Sequence, residues 1–218
     1  MNYKNKLSST YLNKLILPVL WEVIFLCSCF IFPQSYFIYT NFVFYLGIIL
    51  YFRIIGDFSF ENIIENLQSG KKFWIPVFIT TITIILAFLL SAFISSLFPN
   101  TSDGMFGIAR DSWPKLILFA ISTILFPPLA EEIFYRQAFV KFDNKTTIII
   151  SSIIGMFLYA LEHSVALLGI IETMVIAVPL TLSYIKTKNV YVTITAHFIV
   201  NLIGNGISVI FTAINLLK

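Results

Sequence analysis

Long apolar runs separated by short polar ones dominate this chain. Leu15–Phe32 is apolar over nearly the length a membrane-crossing helix needs, about 20 residues. Pro33-Gln34-Ser35 turns the chain, and a second span covers about Tyr36–Phe52, closed by Arg53. Gly56 to Lys72 leaves the pattern. Within it Phe60, Ile63, Ile64 and Leu67 recur at i, i+3, i+4 and i+7, with Asp57, Glu61 and Glu65 between them. That spacing predicts an amphipathic helix, lying either on the membrane surface or against the protein's own inner face. A third span runs over about Phe73–Phe98, and Pro-Asn and Asp-Gly mark the 99–112 stretch as a loop. Span four begins near Trp113 and is interrupted by Pro127-Pro128, which remove backbone donors and predict a kink. After a loop at Lys141–Lys145, span five covers about Thr146–Glu162 and ends at His163. Span six covers about Val165–Ile185, with Glu172 and Pro179 inside it. Span seven starts at Val190, with Gly204 and Gly206 expected to bend it. The fold class is therefore all-α: a polytopic membrane bundle of about seven transmembrane helices, a single domain over residues 1–218 without repeat or linker.

Composition agrees. The chain is 58% hydrophobic and 11% charged, against about 25% charged in a soluble domain. Such a surface belongs in lipid. The net charge of +3 comes from loop lysines rather than a basic patch, so no nucleic-acid partner is expected. Cys27 and Cys29 suggest neither a disulfide framework nor a structural zinc; small packing residues explain them better than a lipoprotein processing site. The first apolar run is longer than the apolar core of a signal peptide, about 7–15 residues, and is read as a retained helix. Lys4, Lys6, Lys14, Arg53, Lys71, Lys72, Lys141, Lys145, Lys186 and Lys188 fall on one side of the seven spans; Arg110, Lys115 and Lys218 fall on the other. The positive-inside rule then predicts a multi-pass cell-membrane protein with its N-terminus in the cytoplasm and its C-terminus outside.

Against this background the stretch Ala130-Glu131-Glu132-Ile133-Phe134-Tyr135-Arg136 stands out, because ionisable groups inside a bilayer are costly and mark functional sites by default. The chain's two histidines, His163 and His197, also lie in apolar runs. Glu132 and Arg136 are spaced i, i+4 and can pair, while Glu131 points about 100° away and is free for chemistry. His197 and Asn201 share that spacing, as do Tyr159 and His163. At about 1.5 Å per residue, Glu131 lies about 15 Å from the loop at Lys141 and His197 about 13 Å from Lys188. His163, counted from Lys145, comes out at about 27 Å and does not share their level unless residues 141–150 dip into the protein or the helix tilts. Glu22 and Glu172 read as interhelical hydrogen-bonding groups. Glu162 either orients His163 or marks the membrane edge.

Glu131-Glu132-x-x-x-Arg136, a histidine about thirty residues later, and His197-x-x-x-Asn201 together resemble the CPBP family of intramembrane proteases. That group includes the CAAX prenyl endopeptidases and the Abi, or bacteriocin self-immunity, proteins. The resemblance covers about Trp113–Asn205 and implies a four-helix catalytic core over 113–205. Residues 1–112 would be variable helices and 206–218 the end of the last helix. It implies that Glu131 and His163 activate a water for attack on a peptide carbonyl, that His197 and Asn201 stabilise the oxyanion, and that Glu132 and Arg136 hold the site together. A carboxylate sheltered from water is a usable base, and donors aimed at an oxyanion act strongly there. Two positions depart from the family's habit: Gln137 stands where glycine is usual, and Tyr159 where phenylalanine precedes the histidine by four. A metalloprotease reading remains open, with Zn(2+) on Glu131, His163 and His197; a metal-free glutamate mechanism fits the same residues and stands ahead of it. The implied partners are a peptide or protein substrate at the membrane and the lipid bilayer itself. Oligomeric state is unspecified. A non-catalytic bacteriocin self-immunity or scaffold protein is the alternative. A proton-coupled transporter is a third, disfavoured by the lack of an inverted repeat.

Overall fold

The computed structural model describes residues 3–218, with side chains from Lys14 onward. Lys4 and Lys6, counted above on the inner side, lie outside the described side chains. The elements are α1 (Tyr3–Ile31), a 3₁₀ turn (Gln34–Tyr36), α2 (Phe37–Ile54), α3 (Phe60–Leu67), α4 (Lys71–Ser96), a composite fourth span, α7 (Lys145–His163), α8 (Leu167–Thr187) and α9 (Val190–Leu216). The composite span joins α5 (Trp113–Ala120), a π segment (Ile121–Leu125), α6 (Phe126–Glu131) and a second π segment (Glu132–Ala138). Seven helices among the described residues are long and apolar enough to cross a membrane. The chain is a polytopic membrane helix bundle. Gly204 and Gly206 do not break α9, which runs unbroken from Val190 to Leu216.

Packing explains the order. α4 lies against α8 and α9, α7 against α8, and α1 and α2 pack together and onto the fourth span. α7 meets the second π segment at Gly155, where an added Cβ would stand 2.6 Å from the Tyr135 carbonyl oxygen. Small residues let membrane helices approach this closely. On α3, Phe60, Ile64 and Leu67 remain exposed, and no residue of the helix is buried. Ile63 packs on the core, Phe60 meets the buried Phe58 ring at 4.9 Å, and Phe60, Ile63 and Leu67 line an apolar cavity with Trp74 and Phe198.

The depth conflict at His163 also resolves. The Lys141 amide donates to Ser151 Oγ at 3.0 Å. Residues 140–144 therefore run alongside the first turns of α7, and Lys145 lies beyond Lys141, toward the lysine-bearing side. Counted from the shared level of Lys141 and Ser151, Glu131 is about 15 Å away and His163 about 18 Å.

The fourth span is not a simple kinked helix. π turns in helices gather at functional sites, and here one precedes the prolines and one carries the charged motif. Pro127 cannot donate to the Thr123 carbonyl four residues back. Asn205 Nδ2 does so instead, from α9, at 3.0 Å.

Because the Gly155 contact is with backbone, Gly155→Val is expected to destabilise the protein by about 1–3 kcal/mol. Thermal unfolding in detergent measures it. Ile154→Val, at a lipid-facing position, is the control and should leave the midpoint unchanged.

Candidate active site

Three helices deliver the site. The fourth span brings Glu131, Glu132 and Arg136, all essentially inaccessible to solvent. α7 ends at His163, and α9 brings His197 and Asn201. His163 Nε2 stands 3.9 Å from Glu131 Oε1, and His197 Nε2 stands 3.8 Å from Glu131 Oε2. One carboxylate therefore faces both imidazoles. All three line a cavity of ≈ 320 Å³ together with Asn201. Asn201 is half-buried.

Neighbouring groups hold each member in place. His163 Nδ1 lies 2.9 Å from the Tyr159 carbonyl. A carbonyl only accepts, so Nδ1 carries a proton and Nε2 is the ring nitrogen that faces Glu131. His197 Nδ1 likewise donates to Glu132 Oε1 at 3.0 Å. The same Glu132 oxygen faces Arg136 Nη1 at 3.3 Å. The Arg136 guanidinium lies over the Tyr159 ring, 4.5 Å from its centroid. One buried carboxylate thus ties α9 to the fourth span and balances a buried cation.

Other residues complete the site, of which Tyr45, Tyr135 and Asn205 were not singled out in sequence. Tyr45, on α2, donates to Glu131 Oε1 at 2.6 Å. Glu162 is buried, and its Oε2 accepts from Tyr135 at 2.9 Å. Tyr135 also lies 3.1 Å from Glu22 Oε1, so Glu22 reaches across helices as read from the sequence. Glu172 is buried with Oε1 unpaired. Asn205 continues the stripe His197, Asn201, Asn205 at i, i+4, i+8, a spacing readable in the sequence. The acidic neighbour of His163 was visible too, but only the packing of Tyr135 shows that Glu162 turns inward.

The two departures from the family pattern keep the site intact. Tyr159 stays buried, and its ring contacts both Arg136 and His163. Gln137 turns away from the site and donates to the Asp57 carbonyl at 2.7 Å.

Glu131, Glu162 and His163 each offer an atom within 4.8 Å of the others. Glu131 Oε2 and Glu162 Oε1 are buried without hydrogen-bond partners. Carboxylates this close repel unless a proton or cation lies between them. The residues therefore fit a divalent cation. The compact trio contains Glu162 in place of His197, which sits at Glu131's other oxygen.

Residues 113–203 match the family model described as Type II CAAX prenyl endopeptidase Rce1-like. This part of the chain is similar to the Rce1-like domain. The matched segment begins with α5 and ends in α9, just past Asn201, so it contains all three motifs. Tyr45 and Glu22 lie outside it. Comparison with curated proteins and with solved structures finds no match. The chain is a polytopic membrane protein whose residues 113–203 are similar to the type II CAAX prenyl endopeptidases.

Removing one partner of a buried ion pair costs about 3–5 kcal/mol. Glu132→Ala is expected to lose that much, because it strands Arg136 and frees the His197 ring. Glu132→Gln should cost less, since its amide oxygen still accepts from His197. Apparent unfolding midpoints of the two variants check the order; equal stability of Glu132→Ala and wild type contradicts it.

Proposed function

We propose that this chain is an intramembrane endopeptidase, seated in the cell membrane with its N-terminus in the cytoplasm, and that Glu131 is its catalytic base. The meeting of one buried carboxylate with two imidazoles from separate helices, inside a cavity of an apolar bundle, carries the reading. Separations of 3.8 and 3.9 Å are too long for direct hydrogen bonds and suit a shared water.

A water there donates one proton toward Glu131 and the other toward His163 Nε2. Its oxygen attacks the peptide carbonyl carbon while Glu131 takes a proton. The carbonyl's π pair becomes the oxyanion. When that collapses, the C–N bond breaks and the amine leaves with the proton held by Glu131. Asn201 lines the cavity, and its amide makes no hydrogen bond to the described residues, which leaves it available to the oxyanion. For His197 to donate as well it must carry a second proton at Nε2, since Nδ1 already donates to Glu132. Tyr45 positions Glu131 by engaging the oxygen nearer His163. A divalent cation, where one is bound, would be held by Glu131, Glu162 and His163 and would polarise the scissile carbonyl as a Lewis acid.

A positioned acid or base contributes about 10²–10⁴-fold to rate. Glu131→Ala and His163→Ala should each lose at least that much processing while the protein still inserts and elutes as wild type. Comparing the membrane polypeptides that accumulate in Glu131→Ala cells with wild type identifies the target together with the activity. Undiminished cleavage by both Glu131→Ala and His197→Ala rules the proposal out.

A further inference from the structure

Across the bilayer the cavity is one-sided. From Glu131 and His197 it continues past Asn201 and Asn205 to Met105, Phe106 and Ile108 of the 99–112 loop. Nothing from the lysine-bearing loops lines it. On that side the site is closed by Ile133, Phe134, Tyr135, Thr193 and Ala196, all buried.

The 99–112 loop is built onto the site. Met105 pairs as an antiparallel bridge with Ser164. The Phe106 amide donates to the His163 carbonyl at 3.2 Å. Ser164 Oγ donates to the Asp103 carbonyl at 2.6 Å. Farther along, Arg110 Nε donates to Thr212 on α9 at 3.2 Å. Gly104 takes φ +61 where the strap turns in against Ala166, a conformation that favours glycine. The His163 side chain, beneath this strap, is still 33% exposed, so the mouth beside the strap is open.

Charge sets the direction. Among the described residues, lysines and arginines cluster at the ends of the helices away from the strap, around Arg53, Lys71, Lys141 and Lys186, while the strap side carries only Arg110, Lys115 and Lys218. Positively charged loops stay in the cytoplasm. We propose that the cavity opens to the extracytoplasmic side, and that the polypeptide reaching Glu131 is an outward-facing or exported segment rather than a cytoplasmic tail. That a polypeptide is what reaches Glu131 rests on the endopeptidase reading. The direction of the opening does not depend on it.

The test labels the cavity without any turnover. In a background with Cys27→Ala and Cys29→Ala, single cysteines are introduced as Met105→Cys at the strap, Thr123→Cys inside the cavity and Lys145→Cys on the lysine-bearing face. Right-side-out and inverted membrane vesicles are treated with a charged, membrane-impermeant methanethiosulfonate. Met105→Cys and Thr123→Cys should be modified in right-side-out vesicles, and Lys145→Cys only in inverted ones. Ile108→Cys lines the same cavity and replaces Thr123→Cys should that variant fail to accumulate. Modification of the cavity cysteine only in inverted vesicles, or in neither, overturns the proposal, as does a Lys145→Cys that reacts in right-side-out vesicles. A chain that labels as expected yet cleaves nothing would sink the endopeptidase reading and leave the topology standing.

Discussion

The structure depends on how this protein tolerates charge where there is almost no water. Glu131, Glu132, Glu162 and Arg136 are all buried among apolar side chains. Each would be expensive alone. Glu132 answers the cost twice, facing Arg136 at 3.3 Å and accepting from His197 at 3.0 Å. Arg136 in turn rests on the Tyr159 ring, whose backbone carbonyl fixes the His163 tautomer. The structural pair and the chemical pair are thus one network: the contacts that make the buried charges affordable also aim both imidazoles at Glu131.

The fourth span makes this possible by departing from regular α geometry. Two π segments and two prolines lie within it. The backbone acceptor that Pro127 leaves open is met by Asn205, so α9 is held to the span by backbone repair at one level and by His197–Glu132 a few turns away. Variation in the N-terminal helices still touches the candidate site, because Tyr45 on α2 donates to the Glu131 carboxylate from outside the family-matched segment.

The sequence made much of this legible. Charged and imidazole residues in apolar runs identify themselves, and i, i+4 spacing paired Glu132 with Arg136 correctly. Depth was harder. Counting from loop to site assumed that Lys141 and Lys145 share a level, and only the Lys141–Ser151 bond shows that they do not. Tyr45 could not be found by pattern, since its role follows from how α2 is rotated against the fourth span. The 99–112 stretch reads as a solvent turn from its Pro-Asn and Asp-Gly pairs. Its pairing with Ser164 and His163 is a tertiary contact with no local signal. Glycines 204 and 206 suggested a bend because glycine is permissive; α9 continues as helix through both to Leu216.

Having only two histidines makes the central convergence directly measurable. Solid-state NMR on protein labelled with ¹⁵N-histidine and ¹³C-glutamate, in lipid, reads ring protonation and ring-to-carboxylate proximity together. Both rings should be protonated at Nδ1, and both Nε2 atoms should correlate with one glutamate carboxylate whose signal disappears in Glu131→Ala. A His163 ring with no glutamate carboxylate near it, in a protein that is otherwise folded, would contradict the shared site.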